Sequence, residues 1–264
     1  PMPILSIAIQ KGGSGKTTTA LNLAAAFREM GRKVLLVDLD PQSNLTQSMG
    51  FVEEPEPNVY QLLKSEAAGM ETDARSAIYR ANGIDLIPAN LELSAAEMEL
   101  VSVYGRENLL KSILHPLKNA YDYIIIDCPP SIGMLTVNAL VVSDYILMPL
   151  QAEYLPLKGL RSFMRAFQGI LKLNKNLQLL GVLLTRFDNR LSMNQNILRQ
   201  LEEEYGDQVF INKIKTNIAL AKAQERGLDI FLHDESSNGA LNYMSLAYEV
   251  EGRIKTGKIH LHKP

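Results

Sequence analysis

Hydrophobic positions along this chain fall into two rhythms. Short apolar runs of strand length alternate with longer stretches whose apolar residues recur at helical spacing. The first run, Pro3-Ile-Leu-Ser-Ile-Ala-Ile9, reads as a buried strand. Glycines follow at 12, 13 and 15, and Lys16 to Met30 then predicts a helix. Leu21, Leu23, Ala24 and Phe27 give that helix an apolar face, and Gly31 stands where a C-terminal cap belongs. Val34-Leu-Leu-Val37 is the next strand. Strand, loop, helix and strand within about forty residues have the size of a βαβ unit.

The alternation continues. Strands are predicted at Ile84–Ile87, Tyr123–Ile126, Tyr145–Pro149, Leu179–Leu184 and Val209–Ile214. Helices are predicted at Arg106–Leu114, Met134–Val142, Leu157–Leu173, Ser192–Glu204 and Leu241–Ile254. Fully apolar strands such as Tyr123-Ile-Ile-Ile126 suit a parallel sheet covered on both faces. The stretch 51–82 is less regular, and its Glu53-Glu-Pro-Glu-Pro57 reads as a loop. There is no internal repeat and no low-complexity linker. The pattern predicts an α/β fold, one doubly wound and mostly parallel sheet flanked by helices, as a single domain over 1–264. From 253 onward a flexible basic tail is expected.

Composition narrows the class. With 46% hydrophobic and 21% charged residues, the 264-residue chain has an ordinary globular balance and enough length for a sizeable core. No segment approaches the roughly 20 apolar residues of a membrane span, and no basic-then-apolar signal opens the sequence. A single cysteine, Cys128, excludes an intrachain disulfide framework and cannot by itself hold an iron–sulfur cluster or a zinc ribbon. A reducing, cytoplasmic location is expected. The formal net charge of −2 gives the chain as a whole no attraction to nucleic acid, so any DNA contact must come from a local patch.

The chemistry begins at Gln10-Lys-Gly-Gly-Ser-Gly-Lys-Thr-Thr18, between a strand and a helix. Glycines allow tight turns that bring backbone N–H groups up to phosphate oxygens, and the positive end of the helix adds to the attraction. Gly12, Gly13, Ser14 and Gly15 would form the cradle, Lys16 would reach the β- and γ-phosphates, Thr17 would hold Mg²⁺ and Thr18 would bond the α-phosphate. The strict P-loop pattern asks for glycine six residues before Lys16, where this chain has Gln10; Lys11 follows instead. Asp38 and Asp40 follow the second strand, and their spacing of two puts both on one side of an extended chain. The alternative reading is that one of them caps a helix starting near Ser43. Asp127 ends an apolar strand at the Walker B position, where a carboxylate binds Mg²⁺ through water. Pro129 and Pro130 then enforce a turn, and Cys128 reads as a small packed residue.

These segments resemble the ParA/MinD family of deviant Walker ATPases, and the ParA/Soj branch most closely, from about Ile4 to Val250. The resemblance rests on Lys11–Thr19, Asp38-Leu-Asp-Pro-Gln42, Ile87-Pro-Ala-Asn90, Asp127-Cys-Pro-Pro130 and Gln151-Ala-Glu-Tyr154. It implies that Lys11 crosses a dimer interface to phosphates bound on the other subunit. It implies that Asp40 positions or activates the attacking water, and that Asp38 helps organise Mg²⁺ and the switch region. It places the adenine near Thr185, Arg186 and Asn217. It further implies an ATP-sandwich homodimer, non-specific DNA binding on the nucleoid, and release when an activating adaptor of the ParB or McdB kind stimulates hydrolysis. The cargo in the family is a plasmid, a chromosome or a protein organelle such as the carboxysome.

The expected DNA contacts are Arg190, Lys213, Lys215, Lys222 and Arg226. Where many relatives carry Pro-Arg-Asn-x-Arg, this chain has Lys215-Thr-Asn-Ile-Ala219, so two arginines are replaced. The sequence given begins at the first strand, so no operator-reading helix-turn-helix and no sequence-specific DNA reading are expected. A MinD-like membrane switch would need a C-terminal amphipathic helix, and the tail is short and broken by Gly257. His260 and His262 in that tail read as solvated residues. A metabolic ATP-dependent enzyme on the same fold is the remaining alternative, because fold alone does not exclude it.

Overall fold

The computed structural model describes residues 2–153 and 156–257, so Tyr154 and the tail from 258, with His260 and His262, lie outside the described residues. Seven strands form one sheet: β1 (Ile4–Ile7), β2 (Val34–Asp38), β3 (Tyr79–Ala81), β4 (Ile84–Ile87), β5 (Tyr123–Asp127), β6 (Tyr145–Gln151) and β7 (Gln178–Thr185). Their order is β3-β4-β2-β5-β1-β6-β7. Every neighbouring pair is parallel except β3 with β4, which closes one edge antiparallel. The helices, in chain order, are α1 (Lys16–Glu29), α2 (Asn44–Ser48), α3 (Val59–Ala67), α4 (Leu93–Glu99), α5 (Leu109–Leu114) and α6 (Met134–Val142). They continue with α7 (Pro156–Ile170), α8 (Ser192–Tyr205), α9 (Ile218–Glu225), α10 (Ile230–Asp234) and α11 (Asn238–Thr256).

Both faces of the sheet are covered, as the unbroken apolar strands require. Alternate side chains of one strand feed opposite cores. Ile124 and Ile126 of β5 join the layer with α3 to α8, while Tyr123 and Ile125 join the layer with α1 and α11. Phe27 of α1 stacks on Tyr123 with ring centroids 4.1 Å apart. The direction in which the chain winds across the sheet reverses around β1, and in such sheets ligands bind outside the carboxyl ends of the strands at that point. Register brings the key side chains together there. Asp38 lies opposite Asp127, and Ile7, which leads into the glycine loop, also pairs with Asp127.

Two expectations change. The segment Val209–Ile214 is not a continuous strand; it runs beside β7 through isolated bridges, Val182 to Val209 and, just past it, Phe187 to Lys215, with the Phe210 and Ile214 N–H groups donating to the Val182 and Leu184 carbonyls. The N–H groups of Ile211 and Asn212 donate to the Glu249 carboxylate of α11, which bends the segment out of the ladder. The tail is helical through Thr256, not flexible from 253. Arg253 pairs with Glu249 at 2.8 Å and lies over the Phe210 ring, which extends α11 past Ile254. The helix Arg106–Leu114 begins as a 3-10 turn over Arg106–Asn108 before α5. Strand β3 and helices α3, α4, α9 and α10 occupy stretches that periodicity left open; α3 is fixed by an Asn58–Gln61 capping box.

Candidate functional site

The loop from Gln10 to Gly15 turns from β1 into α1. Gly13 and Gly15 have φ of 70° and 90°, a region that favours glycine, so these turns are a sequence requirement rather than an accident. Lys16 opens α1, is buried, and donates from Nζ to the Lys11 carbonyl at 2.7 Å. Burial pushes its ammonium down from the usual lysine range, against the pull of Asp127 and Asp40. Thr17 Oγ1 donates to Asp127 Oδ2 at 2.7 Å.

Asp127 is fully buried, and its second oxygen, Oδ1, has no hydrogen-bond partner. Burial, then the neighbouring Asp38 carboxylate, raise its carboxyl well above the usual range. A buried acceptor with no donor is costly unless a cation or ordered water completes it. The Thr17–Asp127 pair therefore fits a divalent cation by its own donor chemistry.

The two aspartates after β2 separate in role. Asp40 lines the cleft, and its Oδ1 accepts from the Gln42 N–H at 2.9 Å. Asp38 stands behind it, fully buried. Its Oδ1 accepts from the Asp40 N–H at 3.1 Å, and its Oδ2 accepts from both the N–H and the hydroxyl of Thr46. Asp38 thus caps the first turn of α2, while Ser43, at the cap position, makes no side-chain cap bond. Burial raises the Asp38 carboxyl to about 6, and the Thr46 and Asp40 donors hold it from going higher. Its immediate partners make it an organiser of the loop rather than a group facing the cleft.

The cleft itself has a volume of about 780 Å³ and joins Gly12–Thr18 to Thr185, Arg186, Lys215 and Asn217. The base-pocket candidates thus meet the glycine loop. Thr185 and Asn217 also carry structural bonds that spacing does not reveal. Thr185 Oγ1 donates to the Ser14 carbonyl at 3.0 Å, and Asn217 Oδ1 caps α9 by accepting from Ala219 N–H at 2.8 Å. Arg186 sits at φ 48°. Thr18 Oγ1 reaches Gln224 of α9 at 3.3 Å, tying the loop to the far wall. Gln151 donates from Nε2 to the Gly13 carbonyl. Its place at the carboxyl end of β6 was the signal for it, whereas nothing in the sequence points to Thr46.

Lys11 is on the rim. Its side chain is 41% exposed, with one loose contact to Glu153 at 3.8 Å. Among the DNA candidates, Lys213 and Lys215 share a hollow bounded by Phe187 and Asn189, and Arg190 follows directly. Arg190 is exposed but held by Asp188 at 2.8 Å, which pulls that carboxyl down to about 2. Lys222 and Arg226 lie on and just after α9 and do not line this hollow. Cys128 is buried, and burial pushes its thiol far up, so it is a packed residue without nucleophilic character.

Comparison with known proteins agrees with this geometry. A family model described as an AAA domain matches residues 2–179. Sporulation initiation inhibitor protein Soj of Bacillus subtilis is 41% identical, covering 94% of this chain and 97% of that protein. Chromosome partitioning protein ParA of Caulobacter vibrioides is 36% identical over 96% of this chain and 95% of its own. The solved structure of cobyrinic acid a,c-diamide synthase from Mycobacterium smegmatis, with a bound ATP analogue and magnesium, superposes with a TM-score of 0.87. It is 34% identical and covers both chains fully. With the glycine loop, Lys16, Thr17 and Asp127 assembled at the switch point of the sheet, this chain belongs to the ParA/MinD family of P-loop ATPases.

Proposed function

We propose that this ATPase is a positioning switch. ATP would close a homodimer across the Lys11 face, the dimer would hold non-specific DNA, and hydrolysis stimulated by an adaptor would release it. The observation that carries the reading is Lys11 itself: a lysine beside the phosphate loop, on the rim, partly exposed and only loosely paired. An ordinary P-loop needs no cation there. A second cation delivered across a dimer offsets charge on the γ-phosphate in the transition state.

Thr17 and Asp127 would hold Mg²⁺, which supplies charge neutralisation for the phosphates. The loop N–H groups and the start of α1 would bind the β- and γ-phosphates, with Lys16 as the fixed cation. Asp40, at the cleft wall, would orient the attacking water. Asp38 would keep Asp40 and α2 in register with that water. Thr185, Arg186 and Asn217 would surround the base. DNA phosphates would meet Arg190, Lys213 and Lys215, with Lys222 and Arg226 as a second cluster. The cytoplasm, in association with the nucleoid, is the expected place of action; no described helix is long and apolar enough to cross a membrane. The cargo would be a plasmid, a chromosome or a protein body.

The test is particle mass in solution with ATP and Mg²⁺. Asp40→Ala should accumulate as a dimer, because hydrolysis no longer opens it, and Lys11→Ala should remain monomeric. Equal dimerisation of both variants would remove Lys11 from the interface. The Mycobacterium smegmatis structure bears the name of a metabolic synthase, which favours a second reading as an ATP-dependent metabolic enzyme. Turnover that requires a small-molecule acceptor and ignores DNA would establish that reading instead.

A further inference from the structure

No acidic residue lies between Glu153 and Asp188, whereas that stretch carries Lys158, Arg161, Arg165, Lys172, Lys175 and Arg186. In a chain of net charge −2 this is a concentrated positive segment. Most of it is α7 and the turn that follows. Lys158, Arg161 and Arg165 recur at i, i+3 and i+7, so they share one face, and all three are exposed. The opposite face, Leu160, Phe163, Phe167 and Ile170, is buried in the core. Lys172 and Lys175, also exposed, continue past the helix end.

Ordinary reasons account for part of this pattern. Cations after a helix C-terminus are favoured by its dipole, which covers Lys172 and Lys175. Arg161 is paired with Glu204 of α8 at 2.8 Å. Lys158 and Arg165 have neither explanation. Lys158 stands in the first turn of α7, where the dipole disfavours a cation and where no acidic residue is present. Neither residue has an ion pair among the described residues. The charge therefore runs against the preference of the helix and is not used within the fold.

We infer that the exposed face of α7, through Lys158, Arg165 and Lys172, is a second contact surface for the phosphate backbone of DNA. The inference rests on the DNA-binding reading above and extends it to an element outside the Arg190–Lys215 hollow. The polyanion is nucleic acid rather than a protein because the face offers charge without anchors. Among the described side chains of the helix no large apolar one is exposed, Leu173 in the following turn being the first. Protein interfaces are held by buried aromatic and aliphatic anchors, whereas phosphate contacts need charge alone. It is not a membrane-insertion helix either, since its apolar side already forms the core. Near its start α7 passes the phosphate loop, with the position a Gly159 side chain would take 4.0 Å from the Gln10 carbonyl. DNA on this face would thus lie beside the rim that carries Lys11.

The experiment compares the full chain with the triple variant Lys158→Gln, Arg165→Gln, Lys172→Gln. Arg161 is left in place because of its bond to Glu204. Binding to a random-sequence duplex is measured with ATP and Mg²⁺ over a series of salt concentrations, beside nucleotide affinity and melting temperature. Loss of up to three phosphate contacts should lower the slope of log affinity against log salt by about 2–3, and weaken binding by ten-fold or more at low salt. Nucleotide affinity and melting should not change. Parent-like affinity and slope in the variant, with DNA bound by the parent, would overturn the α7 surface and leave the DNA reading standing. A parent that binds no DNA would overturn both. A drop in affinity with an unchanged slope would also overturn the inference, because it would come from folding or dimerisation rather than from phosphate contacts.

Discussion

Thr46 holds Asp38 twice: its backbone N–H and its hydroxyl donate to the same carboxylate oxygen, at 2.9 and 2.7 Å. The same hydroxyl accepts from the Ala89 N–H at 3.1 Å, so β4, α2 and the end of β2 meet at one side chain. The other Asp38 oxygen receives the N–H of Asp40. A chain of hydrogen bonds thus runs from the sheet to the residue assigned to the attacking water, through two groups that do not line the cleft.

Thr46→Val keeps the shape and removes the hydroxyl. It leaves a buried N–H of Ala89 without an acceptor and Asp38 with one donor fewer, a loss of about 1–3 kcal/mol. The maximal rate of ATP hydrolysis should fall several-fold with little change in nucleotide affinity, and Thr46→Ser should restore it. Urea melts and steady-state kinetics check both. A parent-like rate in the Val variant would show that the hydroxyl does not matter.

Asp127→Asn should stabilise the nucleotide-free protein at neutral and alkaline pH. The folded-state pKa of Asp127 is raised, so the folded chain binds a proton more readily than the unfolded one, and ionisation costs stability as pH rises. Asparagine does not titrate, and its oxygen can still accept from Thr17. Thermal melts from pH 4 to 8 should show a gain over the parent that grows with pH, while Mg²⁺-dependent nucleotide binding is lost. A variant less stable than the parent at pH 8 would contradict the assignment of buried strain to this carboxylate.

Gly227, at φ 67°, packs backbone to backbone against Gly50, where α2 ends. An added Cβ would sit 2.6 Å from the Gly50 Cα. Gly227→Ala should therefore destabilise the fold by about 1–3 kcal/mol, as overpacking does. Because it presses on the segment that Asp38 holds, hydrolysis should fall as well. Denaturant unfolding alongside ATPase assays tests this, and unchanged stability would show that the two loops separate easily.

Much of the site can be read in the chain before it is folded. Glycine-rich turns, Lys16, Thr17 and Asp127 declare themselves because each sits at a strand end or helix start whose apolar pattern is plain. The strands β4 to β7 are legible for the same reason: buried on both faces, they are nearly all apolar. Val209–Ile214 misleads because it has the right apolar content, yet the Glu249 carboxylate, thirty-odd residues away, captures the N–H groups of Ile211 and Asn212 in its middle. The same long-range logic hides Thr46, whose importance depends on where α2 packs. Asn217 looks like a ligand group in isolation and proves to cap α9 as well. Helices α9 and α10 are too short to show a period.

Arg190→Glu reverses a charge that already holds Asp188 on the surface, with its side chain 89% exposed. DNA affinity should drop while nucleotide affinity stays within two-fold, since the residue does not line the cleft. Electrophoretic mobility shifts and a fluorescent ATP analogue separate the two. Parallel loss of both would instead mark Arg190 as a support for the fold.

The account as a whole turns on whether nucleotide state controls DNA binding. The direct measurement is affinity for a random-sequence duplex with ATP, with ADP and with no nucleotide, each at two salt concentrations. The account predicts tight, salt-sensitive binding with ATP alone. Binding of the same strength in all three states, or in none, would contradict it.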